Sequence, residues 1–209
     1  MIEKIGILGG GGQADEVESY LPEGTVSFRA VGREYLKPGD VRLVDIASPG
    51  VENLSLPIVS AVGAPALRMK LVELWPRDNY RTVVSSAAYV DKTAAIGDGS
   101  VVGPGSVIST NVILGSHSII NIGATISHDC RVGNFVTISP GVHVAGRVKI
   151  GDGVFIGVGA TVSNGVTLAP GVVIGAGAVV LGDISVPNSV AFGVPAKVVK
   201  VNDGWLNEL

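Results

Sequence analysis

The run INIGATISHDCRVGNFVTISPGVHV, Ile120–Val144, decides the fold. An aliphatic residue returns at every sixth place: Ile120, Ile126, Val132, Ile138, Val144. Followed outward, the series begins at Val90 and runs through Ile96, Val102, Ile108 and Leu114. Beyond Val144 it continues through Ile150, Ile156, Val162, Leu168, Ile174 and Val180 to Val186, without a slip. The next residue in each hexad is usually Gly, Ser or Ala. Four places after each aliphatic stands a second small or branched residue, as in Ala94, Ser100, Ser106, Val112, Ser118, Ala124, Cys130 and Val136. A strict short period marks a solenoid, in which stacking buries apolar faces that no single repeat could bury. Three six-residue faces close a triangular coil of 18 residues, giving a parallel β-helix of a little over five coils between Val90 and Val186.

The period also works as a ruler. Cys130 falls on an inward position and reads as a buried thiol. His128, two residues after inward Ile126, reads as outward-facing. Stacking at 18 residues sets Thr110 and Gly146 beside His128, and Asn111 and Arg147 beside Asp129. His117, His128 and His143 are separated by 11 and 15 residues, out of register for ligands on one edge, so no metal site is expected. His117 and His143 are expected at the surface.

Residues 1–82 follow a different grammar. Lys4–Leu8 reads as a buried strand that ends in the glycines Gly9–Gly12. A helix is expected from Gln13 to about Leu21, closed by Pro22 and Gly24. Thr25–Val31, Val41–Ile46 and Leu56–Val62 read as strands. Pro65 suits a first helical turn, and Ala66–Trp75 spaces Leu67, Leu71 and Leu74 as one apolar helix face. Strand, glycine loop, helix, strand is the opening of a doubly wound sheet. The expected organisation is therefore a Rossmann-like half domain over 1–82 and a β-helix with a short tail over 83–209.

The glycine loop suits an anion, because exposed N–H groups and the helix dipole meet there. A dinucleotide reading is weak: the domain is half a Rossmann fold, and Arg29-Ala30-Val31 stands where an acidic residue should end the second strand.

Composition agrees with this plan. Of the 209 residues 46% are hydrophobic but only 5% aromatic, so the core must be built from small and β-branched side chains. The net charge of −3 lacks any block of like charge, which argues against nucleic-acid or membrane partners. The single cysteine excludes an internal disulfide and fits a reducing compartment. The N-terminus shows no signal-peptide pattern, and no apolar run approaches the roughly 20 residues of a membrane helix. A soluble cytoplasmic protein is expected.

The hexads, followed by Gly193-Val194-Pro195-Ala196-Lys197, resemble the hexapeptide-repeat acyltransferases. The N-terminal glycine loop, Ser60-Ala61-Val62-Gly63-Ala64-Pro65 and His128-Asp129-Cys130 narrow the likeness to sugar O-acyltransferases of the sialic-acid acetyltransferase type. These are close to bacterial N-acetyltransferases of nucleotide-linked 4-amino sugars.

The resemblance implies a left-handed coil and a homotrimer with active sites between subunits. It implies acetyl-CoA as co-substrate and a nucleotide sugar as acceptor, with no metal. His128 is the implied general base and Asp129 its support. Gly146 matches an oxyanion contact. Val158 and Ala176 match the acyl-carrier channel, and Lys197 (with Lys200) is placed for the phosphates of coenzyme A. Gly11, Gly12, Gln13 and Gly63 match nucleotide-sugar positions.

Two residues depart from the pattern. Many relatives carry a second histidine, contacting donor or acceptor, where Thr137 stands, so the resemblance places Thr137 at the acetyl-CoA site with a hydroxyl that can hydrogen-bond but carries no proton charge; relatives also usually have histidine in place of Gln13. O-acetylation of a sialic-acid-like sugar and a non-catalytic sugar-nucleotide-binding scaffold are the competing readings.

Overall fold

The computed structural model describes residues 3–208. Its N-terminal module is a four-stranded parallel sheet in the order β3-β2-β1-β4, formed by β1 (Ile5–Leu8), β2 (Val26–Val31), β3 (Leu43–Asp45) and β4 (Ile58–Ser60). Helix α1 (Gly12–Ser19) follows β1, a single turn α2 (Val51–Leu54) precedes β4, and α3 (Pro65–Leu74) follows it. The strands at β3 and β4 are shorter than the sequence pattern suggested. The second strand does end at Val31, and Arg29 there pairs with Asp15 and Glu18 of α1.

From Val83 the chain winds into a parallel β-helix with three faces of two-residue strands. Face I stacks Val83–Val84, Val101–Val102, Ile119–Ile120, Thr137–Ile138, Phe155–Ile156 and Val173–Ile174. Face II stacks Tyr89–Val90 through His143–Val144 to Val179–Val180, and face III stacks Ala95–Ile96 through Arg131–Val132 to Thr167–Leu168. Partners lie 18 residues apart, as in Ile113↔Arg131 and Thr125↔His143. The aliphatic of each hexad and the small residue four places on both enter one core, which runs from Val102 to Ala191. Buried Ser100, Ser106 and Ser118 are tolerated there because each hydroxyl donates to a carbonyl of the next coil.

From Ile96 to Ile174 the corners fall three residues after each aliphatic, where φ is positive. Glycine occupies most of these positions, but Asn111, His117, Asp129, Phe135 and Arg147 adopt the same conformation. The series ends before its last expected member: Val186 is exposed. The antiparallel strands Ser189–Phe192 and Lys197–Val201 finish face I instead.

The N-terminal module sits on the outside of face I. Val83, Val101 and Ile119 pack there with Ile5, Ile7, Ala14, Val17 and Val59. This explains why the outward residues of face I are apolar or buried, while those of faces II and III, such as His143, Arg131 and Lys149, are exposed.

The pattern left open which way the apolar face of α3 points: Leu67 and Leu74 are 39% and 52% exposed, while Arg68 is 0% exposed. One expectation is corrected. His117 is not at the surface. It is 8% exposed, stacked on Phe135 with its ring edge against Tyr80, because its corner lies under the N-terminal module.

Candidate active site

His128 and Asp129 occupy the corner between faces II and III. Asp129 has φ of 60°, a conformation unusual for a side-chain-bearing residue but best tolerated by Asn and Asp. The corner aims its carboxylate at its neighbour: Asp129 Oδ2 lies 2.8 Å from His128 Nδ1. Asn111, one coil away, donates to the other oxygen at 3.2 Å. The hydrogen bond from His128, and then that from Asn111, holds the Asp129 carboxyl below its usual value. An ionised carboxylate only accepts, so His128 Nδ1 carries the hydrogen, and in the neutral ring Nε2 then holds the lone pair.

The coil on the other side presents Gly146. A Cβ built there would stand 2.6 Å from His128 Nε2, so only glycine leaves the ring in place. The Gly146 N–H donates to no acceptor among the described residues. A half-exposed imidazole with a free lone pair thus stands beside an unused backbone donor. This arrangement can take a proton from a nucleophile and stabilise charge on a carbonyl oxygen. Cys130 is fully buried, and burial pushes its thiol up, away from nucleophilic chemistry.

The second group of expected residues meets in a cavity of about 1100 Å³ on the N-terminal module. Its walls include the loop Gly9–Gln13, Val62-Gly63 and the pocket-facing residues Leu67, Lys70, Leu71 and Leu74 of α3. The apolar stripe of α3 is exposed because it lines this cleft. The glycines divide by cause. At Gly9, φ is 124° and a Cβ would crowd the Ala61 carbonyl, so the turn itself requires glycine. Gly11 and Gly12 have no atom within 4 Å of a Cβ, and Gly11 has an ordinary φ of −97°. The fold does not need glycine at these two places, which leaves room for something that approaches the helix start from outside. Gln13 donates to Asn121 of the solenoid at 3.1 Å, tying the loop to face I.

A carboxylate near the end of β2, which the strand's own sequence lacks, is supplied from Glu34. Its side chain folds back over Gly32 at the rim of the cavity.

The remaining expected residues lie apart. Val158 and Ala176 are exposed and stack at the corner between faces I and II, and Lys197 lies on the exposed terminal strand. Thr137 joins neither His128 nor these. It is 2% exposed beneath the N-terminal module, donating to the Gly63 carbonyl at 2.6 Å and accepting from Arg68 at 2.9 Å. His143 is exposed and shares a hydrogen bond with Thr125. Among the described residues no three His, Cys, Asp or Glu are grouped to hold a metal ion, and no helix is long and apolar enough to cross a membrane.

Residues 147–182 match the family described as bacterial transferase hexapeptide (six repeats). No curated protein matches the chain in sequence. Among solved structures, PerB from Caulobacter crescentus, in complex with CoA and GDP-perosamine, is 33% identical. The match covers 96% of this chain and 99% of that one at a TM-score of 0.84. A histidine variant of the perosamine N-acetyltransferase from the same organism, again with CoA and GDP-perosamine, is 32% identical over 96% and 98% of the two chains, with a TM-score of 0.85. The acetyltransferase domain of PglB from Neisseria gonorrhoeae FA1090, in complex with acetyl coenzyme A, is 29% identical over 95% and 100%, with a TM-score of 0.82.

Proposed function

Given that the chain belongs to the hexapeptide-repeat acetyltransferases of nucleotide-linked sugars, we propose that it moves an acetyl group from acetyl-CoA to an amino group of a nucleotide-activated 4-amino sugar. The observation that carries this reading is the constellation of His128, Asp129 and Gly146.

The residues divide the work as follows. Acetyl-CoA supplies an activated acyl group. Asp129 holds the imidazole in the tautomer that leaves Nε2 free; His128 Nε2 takes the proton that the attacking amine gives up, and as the tetrahedral adduct collapses the C–S bond breaks and that proton passes to the sulfur, so that CoA leaves as free thiol. Gly146 N–H offers a hydrogen bond to the carbonyl oxygen as it gains charge. The glycine-lined cavity takes the nucleotide diphosphate, with Gly11 and Gly12 permitting close approach and the N-terminus of α1 favouring the negative charge. Exposed Lys70 on the cavity wall adds a cation.

The register also argues for an oligomer. In a triangular coil, the corner between faces II and III stands opposite face I. His128 occupies that corner, and the cavity sits on the module covering face I. The base and the sugar-nucleotide cavity of one chain are therefore held on opposite sides of the solenoid. Val158 and Ala176 lie on yet another edge. A second copy that sets its own solenoid corner against this chain's module completes the site, in keeping with a homotrimer that binds the acyl carrier between subunits. A soluble enzyme of glycan biosynthesis acting in the cytoplasm fits this chemistry. The test is thiol release from acetyl-CoA with UDP-, dTDP- and GDP-linked amino sugars. Turnover with one of them supports the reading, and sugar-nucleotide binding with neither acetyl-CoA binding nor turnover points to a scaffold.

A further inference from the structure

Arg68 is the most unusual buried group in the molecule. It is fully buried, yet no carboxylate pairs with it among the described residues. Burial pulls its guanidinium down to about 9, which still leaves it cationic at neutral pH. A buried charge is tolerated only when its donors are used, and here they are. Nε donates to His117 O at 2.8 Å. Nη1 donates to Val62 O and to Gly63 O at 3.2 Å. Nη2 reaches Phe135 O at 2.7 Å, Val136 O at 3.1 Å and Thr137 Oγ1 at 2.9 Å.

These acceptors belong to separate parts of the structure. His117 and Phe135 are stacked corners of two solenoid coils, Thr137 is on face I, and Val62-Gly63 is a wall of the nucleotide cavity. Arg68 itself sits on α3, whose other side carries Leu67, Lys70, Leu71 and Leu74 into the same cavity. A second strap reaches α3 from the far end of the chain. Trp205 lies against Gly153 and Gly171 at corners of the later coils, near Phe135, and Leu206 O accepts from Ala66 N at 3.0 Å in the first turn of α3.

We infer that Arg68 is a positioning residue for the sugar nucleotide: it clamps the Val62-Gly63 wall and α3 to the solenoid and so sets the shape of the cavity, without touching substrate or the His128 corner. The inference rests on the cavity being the nucleotide site. A flat fork with five donors is needed because the acceptors lie on three sides, and lysine cannot reach them together.

The test compares wild type with Arg68→Lys and Thr137→Val, titrating each with GDP, UDP and dTDP and separately with acetyl-CoA. For the nucleotide that wild type binds best, Arg68→Lys is expected to weaken binding by about tenfold or more. Thr137→Val, which removes one donor to Gly63 and one acceptor for Arg68, is expected to weaken it less. Acetyl-CoA affinity should stay within about twofold of wild type in both. A purely structural role would lower the melting temperature while leaving the nucleotide affinity of the folded protein unchanged, and that result overturns the inference. So does an equal loss for both ligands, or a selective loss for acetyl-CoA in Thr137→Val, which would return Thr137 to the donor site. If Arg68→Lys does not fold, Thr137→Val decides on the same criteria. Wild type that binds none of the three nucleotides overturns the nucleotide reading itself.

Discussion

Gly146 lies so close against His128 that a methyl group on its Cα would stand 2.6 Å from the imidazole Nε2. The two residues are 18 apart, one full coil, and their contact is set by the register of the solenoid. Gly146→Ala is therefore expected to displace the ring of His128 and to disturb the donor beside it. The expected result is a fall in kcat of about 10²-fold or more, as for other oxyanion donors, with a melting temperature close to wild type. A steady-state assay beside a thermal melt checks it, and an alanine variant with wild-type kcat would remove Gly146 from the site.

Asp129 is expected to act through the tautomer of His128, since its carboxylate accepts from Nδ1 at 2.8 Å. Asp129→Asn offers an amide that can present its N–H to Nδ1 and draw the hydrogen to Nε2 instead. Catalysis should fall by about 10-fold to 10³-fold, with the Michaelis constants for both substrates little changed. Equal activity in the asparagine variant would show that the carboxylate only decorates the corner.

The glycine loop offers a cleaner separation of fold from function. Gly12 is the first residue of α1, and a Cβ there meets nothing. Gly12→Ala should leave stability unchanged or raise it by up to about 1 kcal/mol, through helix propensity. If a diphosphate approaches the backbone here, the same change should weaken nucleotide binding several-fold or more. Calorimetric titration against a denaturation curve distinguishes the two, and undiminished nucleotide binding would place the ligand elsewhere.

His117 carries a pH dependence of stability. Burial first, and the neighbouring Arg68 charge second, push its imidazole down to about 4. Its unfolded value is near 6.5, so between about pH 6.5 and 4 the unfolded chain binds the proton that the folded chain refuses. Stability contributed by neutral His117 is present above that window and is lost as pH falls through it. His117→Gln should show a shallower decline in melting temperature across this range than wild type. An identical decline would mean that other groups account for it.

The fold of the second half was legible because a solenoid turns linear spacing into neighbourhood. Counting by 18 pairs His128 with Gly146 and Asp129 with Asn111, and both pairs are in contact in the folded chain. What the period did not carry was the surface that each corner faces. His117 occupies a corner like that of Asp129, but the N-terminal module covers one and not the other, and no local pattern in the hexads records that. The same limit applies to α3. Its leucines have helical spacing, yet they line a cleft, and the buried side is held by an arginine whose acceptors come from residues up to 69 positions away. Gln13 and Thr137 likewise gain partners, Asn121 and Gly63, from across the domain contact.

Acetyl transfer to a nucleotide-linked amino sugar, the role proposed for the His128 corner, is checked by following free thiol release from acetyl-CoA with a panel of such sugars, in wild type and in His128→Ala. Wild type should release thiol only when an acceptor sugar is present, and the alanine variant should fall by about 10²- to 10⁴-fold while still binding acetyl-CoA. Full turnover by His128→Ala, or no acceptor-dependent release by wild type, would contradict the account.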